Sequence, residues 1–299
     1  MRARWRIVRK SMLILHMNFS SVNRAHTRRT PPPAARRRRS DAGSRFGPIA
    51  GRPVNDSHRP PKAAMLIAQR IVRDIVRGDL RPGDLLPPER VMLEKYRTGR
   101  GTLREALRLL EFQGAITLKP GPGGGPILLD PDASHLAGTV VLLMQLKQAP
   151  FRTIAEVRSA IEPMVSGLAA TRIDEASLAG LDDTITQMRD HLDDQHLFLE
   201  ANKRFHDIIA WSSGNPLFGY LADSLLDIMD GTLVGVDYPG PQRAAVLTAH
   251  QQVLDAIRAG DPVESESRMR DHIGEYVRYA EHRFPEVLDQ VVPWDRMFA

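Results

Sequence analysis

The chain has 299 residues, 42% of them hydrophobic, enough for a sizeable core and, by length, two domains. No run of eighteen apolar residues occurs, which excludes a membrane span and points to a cytoplasmic protein. With no cysteine, disulfides and thiolate metal sites are excluded, so any metal would rest on His, Asp, Glu or Asn. Charge is unevenly placed. Residues 1–60 carry 15 Lys and Arg against 2 Asp and Glu, residues 61–130 carry 12 against 8, and residues 131–299 carry 14 against 26. The acidic C-terminal part is therefore a poor surface for phosphates, whereas the middle segment is suited to them.

Residues 1–60 contain three consecutive prolines, the run Arg36 to Arg39 and no sustained apolar period, the composition of a disordered basic tail. It serves either as a nonspecific DNA arm or as an unconstrained extension. From Lys62 the pattern turns helical: Ala64, Ile67, Ala68, Ile71, Ile75 and Val76 recur at three- and four-residue spacing up to Gly78 and define a buried face. Pro87 and Pro88 introduce a second helix from Glu89 to Tyr96, and a third runs from Arg100 to Gln113, where Gly114 stops it. Two short strands, 115–119 and 126–129, flank the turn Gly121-Pro122-Gly123-Gly124-Gly125. Three helices and a hairpin make a winged helix-turn-helix over residues 61–130.

In the third helix Leu103, Ala106, Leu107 and Leu110 form the buried stripe, leaving Arg100, Gly101, Thr102 and Arg104 outward near its start. There the two arginines can reach guanine edges or phosphates in a major groove, with Arg90 placed on the backbone. The ordinary alternative is a solvated face in which these arginines pair with Glu105 or Glu111. After a linker and linking helix at 131–152, helices are expected at 153–171, 175–192, 195–212, 215–230, 240–259 and 262–283, an all-α antiparallel bundle over 153–285 with a tail at 286–299.

Asn202 and His206 stand one turn apart, and His250 and His272 lie on two later helices that a bundle can bring alongside. Imidazoles suit a divalent metal such as Zn, Ni or Mn, with an open position for a carboxylate. His135, His191, His196 and His282 read as solvated or hydrogen-bonded residues.

The run Leu86 to Arg90, then Gly99 to Gly114, then the glycine wing, resemble the GntR family of bacterial transcription regulators. The resemblance implies DNA contacts from Arg90, Arg100, Thr102, Arg104 and the backbone at Gly121. The chain departs from the pattern at Pro88, Gly99 and Gly101, which stand where small polar or hydroxyl residues are usual, and at Arg97, close to a usual glycine. The segments Glu156 to Arg158 with Glu162, Asn202 to His206, Gly214 to Leu217, His250 and His272 resemble the FCD effector domain of the FadR-type branch. That resemblance implies a bundle holding a divalent metal on one Asp and three His, with an organic acid on the metal. Asn202 replaces the aspartate, so the donor set loses a charge. Arg158 is either a clamp for the acid or simply the i+4 partner of Glu162.

The expected protein is a homodimeric, ligand-responsive repressor that binds a palindromic DNA operator and senses a small carboxylate, and is not an enzyme. Two other classes fit less well. A metal-dependent hydrolase needs a general base beside the site, and only Asp207 is near, about 100° round the helix. An architectural DNA binder would depend on the arginine-rich tail alone.

Overall fold

The structure, a computed structural model, describes residues 62–121, 123–130, 132–229 and 238–295. The segment 1–60, read above as a basic tail, lies outside the described residues. The elements run α1 Ala63–Arg77, α2 Glu89–Tyr96, α3 Arg100–Phe112, β1 Ile116–Lys119, β2 Gly125–Leu128, α4 Ser134–Lys147, α5 Arg152–Ala170 and α6 Glu175–Asp190. They continue with α7 Gln195–Ser212, α8 Pro216–Met229, α9 Gly240–Arg258, α10 Pro262–Arg283 and α11 Pro285–Leu288. The fold is mainly α, a winged helix-turn-helix followed by an all-helical bundle. Among the described residues no helix is long and apolar enough to cross a membrane.

The head is built on two facing stripes. Ala64, Ile67, Ala68 and Ile71 of α1 meet Leu103, Ala106, Leu107 and Leu110 of α3, with Met92 and Tyr96 closing the layer. The sequence pattern placed Val76 on the same stripe, but it is 75% exposed. Position 76 lies five residues beyond Ile71, about 140° round the helix, so only Ile75, half-buried, continues the stripe. Leu103 is fully enclosed. Leu103→Ala is expected to destabilise the head by about 2–5 kcal/mol, read by urea denaturation; a loss below about 1 kcal/mol would contradict its place in the core.

The wing pairs β1 with β2 antiparallel, Ile116 opposite Leu128 and Lys119 opposite Gly125. Its turn depends on glycine: a Cβ on Gly124 would lie 2.2 Å from the carbonyl oxygen of Lys119. The carboxylate of Glu111 accepts from the Leu118 backbone N–H at 3.0 Å, tying the hairpin to α3. At the end of α3 Gly114 takes φ +69, and a Cβ there would meet the ring of His135 on α4 at 2.6 Å. The chain turns there because only glycine fits both the backbone and the neighbour.

In the bundle, the starts of three helices are set by aspartate caps. Asp174 accepts from Ser177, Asp194 from His196 and Leu197, and Asp261 from Val263 and Glu264. The capped helices bury Leu181, Met188, Phe198, Phe205 and Ile273 in one core, which Leu254 of α9 joins. A second cluster joins Ala137 and Val141 of α4 to Phe151 and Ile154 of α5, Ile228 of α8 and Tyr276 of α10. Leu288 and Val292 enter this cluster, and Phe151 N–H donates to the Gln290 carbonyl at 2.8 Å, so the described part of the segment read as a C-terminal tail, residues 286–295, is docked on α4 and the start of α5.

Candidate metal centre and nucleic-acid interface

The cap at Asp194 sets the rotational phase of α7, which puts Phe205 and His206 inward. α9 supplies His250 and α10 supplies His272, and all three imidazoles are buried. The three side chains offer ligand atoms that lie within 4.8 Å of one another. Nε2 of His272 is 3.0 Å from Nε2 of His250 and 3.3 Å from Nε2 of His206. In a tetrahedral site with metal–nitrogen bonds of about 2.0–2.1 Å, neighbouring nitrogens stand roughly 3.3–3.4 Å apart. The observed spacings are close to that, so the donor set fits a divalent metal.

The outer ring nitrogens explain why the inner ones are free to ligate. Nδ1 of His206 faces Glu162 Oε2 at 2.7 Å, and Nδ1 of His250 faces the sulfur of Met188 at 3.3 Å. With a proton on each Nδ1 the Nε2 lone pair would point inward. Phe205 stacks on His250 with centroids 4.2 Å apart and fixes its plane. Burial, then the neighbouring His206, lowers the His272 pKa to about 3. Burial, then His272, holds His250 well below its ordinary value. Both are therefore neutral near pH 7, the form a metal requires.

Arg158 and Glu162 of α5 form a buried ion pair through Nε and Oε1. Burial alone would raise the Glu162 carboxyl, but the Arg158 guanidinium and then His206 outweigh it and hold the pKa well below the carboxylate range. Both alternatives read for Arg158 are compatible with its position: it pairs with Glu162 and also lines a cavity with Asn202, His206, Tyr238, His272 and Tyr276. This cavity has about 30 Å³ of free volume and is bordered by two of the three imidazoles, His206 and His272. Asn202 faces the same space as His206, as the i, i+4 spacing required.

Asp207 is absent from the cavity wall. Its carboxyl is pushed up to about 7 by burial and then by Asp223, and its Oδ1 has no hydrogen-bond partner. Lys203 beside it bonds Asp227 and lies 3.3 Å from Asp223. Asp207 thus lies on another face of α7, whereas a different carboxylate, Glu275 of α10, lines the cavity.

On the head, Arg90, Arg100 and Arg104 are exposed, Thr102 is half-buried, and Gly121 sits in the open wing turn at φ +94. Arg104 pairs with neither Glu105 nor Glu111. Its Nε donates to Glu89 of α2 at 2.9 Å, and Arg90 bonds Glu94 at 3.1 Å. Exposed pairs of this kind are worth only about 0–1 kcal/mol, so either arginine can exchange its carboxylate for a phosphate or a base. The Glu89–Arg104 bond also links α3 to α2, a pairing that sequence spacing did not show.

A winged head joined to a helical domain with an internal polar cavity is the build of a bacterial transcription regulator. Residues 64–124 match the family described as bacterial regulatory proteins, gntR family, and residues 153–275 match the FCD domain. The chain is 32% identical over 210 residues to the uncharacterized HTH-type transcriptional regulator YcbG of Bacillus subtilis, covering 70% of this chain and 86% of that protein. It is 27% identical over 197 residues to the galactonate operon transcriptional repressor of Escherichia coli, covering 63% and 84%. A solved Streptococcus agalactiae GntR shares the fold with TM-score 0.59 at 23% identity, covering 73% of this chain and all of that one. The chain belongs to the GntR family of DNA-binding transcription regulators and carries an FCD domain.

Proposed function

We propose that this protein is a repressor that binds a palindromic operator as a homodimer through residues 61–130 and is controlled by a small carboxylate bound in the domain spanning 153–285. The carrying observation is the convergence of His206, His250 and His272 beside a cavity walled by Arg158. A divalent metal of the Zn, Ni or Mn type is held by the three imidazoles with Asn202 at its edge. When bound it supplies an electrophilic centre for a carboxylate, and Arg158 supplies the charge-assisted hydrogen bonds that orient it. The amide of Asn202 brings no charge, so an anion contributes the missing negative charge. One relative is named for the galactonate operon, and galactonate is a carboxylate of this kind.

At the other end of the molecule, α3 enters the major groove with Arg100, Thr102 and Arg104, while Arg90 and the Gly121 backbone hold phosphates. Ligand binding changes operator affinity about 5- to 150-fold, the usual range of coupling between sites. The test uses a duplex that the wild-type protein selects from a random-sequence pool, with sugar acids, hydroxy acids and dicarboxylates added to metal-loaded protein. At least one acid is expected to release the duplex while its neutral alcohol does not; release by none of them would overturn the reading. Arg104→Ala is expected to weaken the selected duplex by about 1–3 kcal/mol and to relax discrimination against mismatched sites. Unchanged footprints would remove Arg104 from the reading set.

A further inference from the structure

Arg90 and Arg104 face carboxylates, but two other arginines of the head do not. Arg73 and Arg97 are exposed and, among the described residues, have no carboxylate within 4.0 Å. They line one groove with Leu66, Ile67, Arg70 and Thr98, between α1 and the turn that leads into the recognition helix. The nearby acid Asp74 is already occupied, accepting from Lys95 at 2.8 Å and from the Tyr96 hydroxyl at 2.9 Å. Arg70 is held rigidly: its Nη1 donates to the Tyr96 carbonyl at 3.1 Å and its guanidinium lies 5.1 Å from that ring.

Arg97 has a second peculiarity. It adopts φ +50 and ψ 52, the left-handed conformation that glycine takes without strain. An arginine held there, three residues before the first residue of α3, places a cation where the backbone alone would favour having no side chain. Strained backbone of this kind collects at functional positions.

We infer that this groove seats the phosphodiester backbone of the DNA strand flanking the recognition helix, with Arg73 and Arg97 on its phosphates and the apolar floor of Leu66 and Ile67 under the sugars. The inference rests on the reading that α3 enters the major groove, because only then does the turn at Arg97 lie against the duplex. Charge complementarity selects the occupant: the lining groups hold three arginines and no acid, and DNA presents a negative charge about every 1.7 Å of its axis. Phosphate contacts carry no base information, so this groove adds affinity and register but no sequence preference.

The experiment compares wild-type protein with Arg73→Ala, Arg97→Gly and the double variant on the selected duplex and on random-sequence duplex over a salt series. Each lost phosphate contact is expected to make the slope of log K against log salt shallower by about 0.9 per protomer. Both duplexes weaken in the same proportion. Arg97→Gly, relieved of its strained backbone, should melt no lower than wild type. Slopes and affinities unchanged in all variants, with wild type binding normally, would overturn the assignment. Unchanged slopes with an altered oligomer mass would assign the groove to the acidic surface of a second copy and also overturn it. A wild-type protein that binds neither duplex would defeat the underlying DNA reading instead, which separates the two failures.

Discussion

Wild-type protein is expected to bind close to one divalent metal per chain, and His250→Ala to abolish that binding near neutral pH. The reason lies in how few donors the site has. Three imidazoles and one uncharged amide form the proposed set, so removing the fully buried His250 leaves two nitrogens, 3.3 Å apart, on His206 and His272. Ligand present at a thousandfold excess over its dissociation constant stabilises the folded state by about 4 kcal/mol. For a chain of this size that raises the melting temperature on the order of 10 °C. Differential scanning fluorimetry with added Zn, Ni or Mn should show this increment in wild type and not in His250→Ala. Because the increment is compared within each protein, the cavity left by the missing ring does not confuse it. A wild-type protein indifferent to all three metals, yet still released from DNA by an acid, would sink the metal reading.

Arg158→Met is the second large effect. Glu162 is buried and has two neighbours of opposite or potential positive charge, Arg158 and His206. Removing one partner of a buried pair costs about 3–5 kcal/mol, because the remaining charge keeps its desolvation penalty. Urea denaturation should show that loss at pH 7. The sign of the pH dependence is fixed by the carboxyl. In wild type its depressed pKa contributes stability above the ordinary carboxylate range, lost as pH falls through the lower folded value. Without Arg158, burial raises the pKa, so the variant's deficit should shrink as pH falls and Glu162 takes up a proton. Arg158→Met combined with Glu162→Gln should recover part of the stability, as both buried charges are gone, but not the response to acids. A single variant as stable as wild type would show that the pair contributes nothing to the fold.

The helices were legible wherever an apolar stripe repeated at helical spacing and an aspartate or glycine marked an end, as in α1, α3 and the capped helices of the bundle. The stripe misled at Val76, which lies about 140° round α1 from Ile71 and so leaves the buried face. Asn202 and His206 were legible as a pair because i, i+4 neighbours must point together, and order along the chain supplied His250 and His272. What spacing could not give was contact between elements far apart in sequence. Glu162 meets His206 across 44 positions because α5 packs against α7, and Met188 reaches His250 from α6. Glu162 was visible only as a partner for Arg158, four residues away. On the head, the same blindness limited the alternative weighed for Arg104 to carboxylates on its own helix, whereas its partner comes from α2.

The connecting helix α4 begins against the glycine that follows α3, and one face of it, with Ala137, Val140, Val141 and Met144, enters the same apolar layer as Tyr276, which borders the cavity beside the imidazoles. A connection with both ends gripped acts as a stiff crank, not a slack cord. A shift of the Tyr276 wall by a fraction of an ångström would therefore either be absorbed by repacking that layer or be carried along α4 to the end of α3.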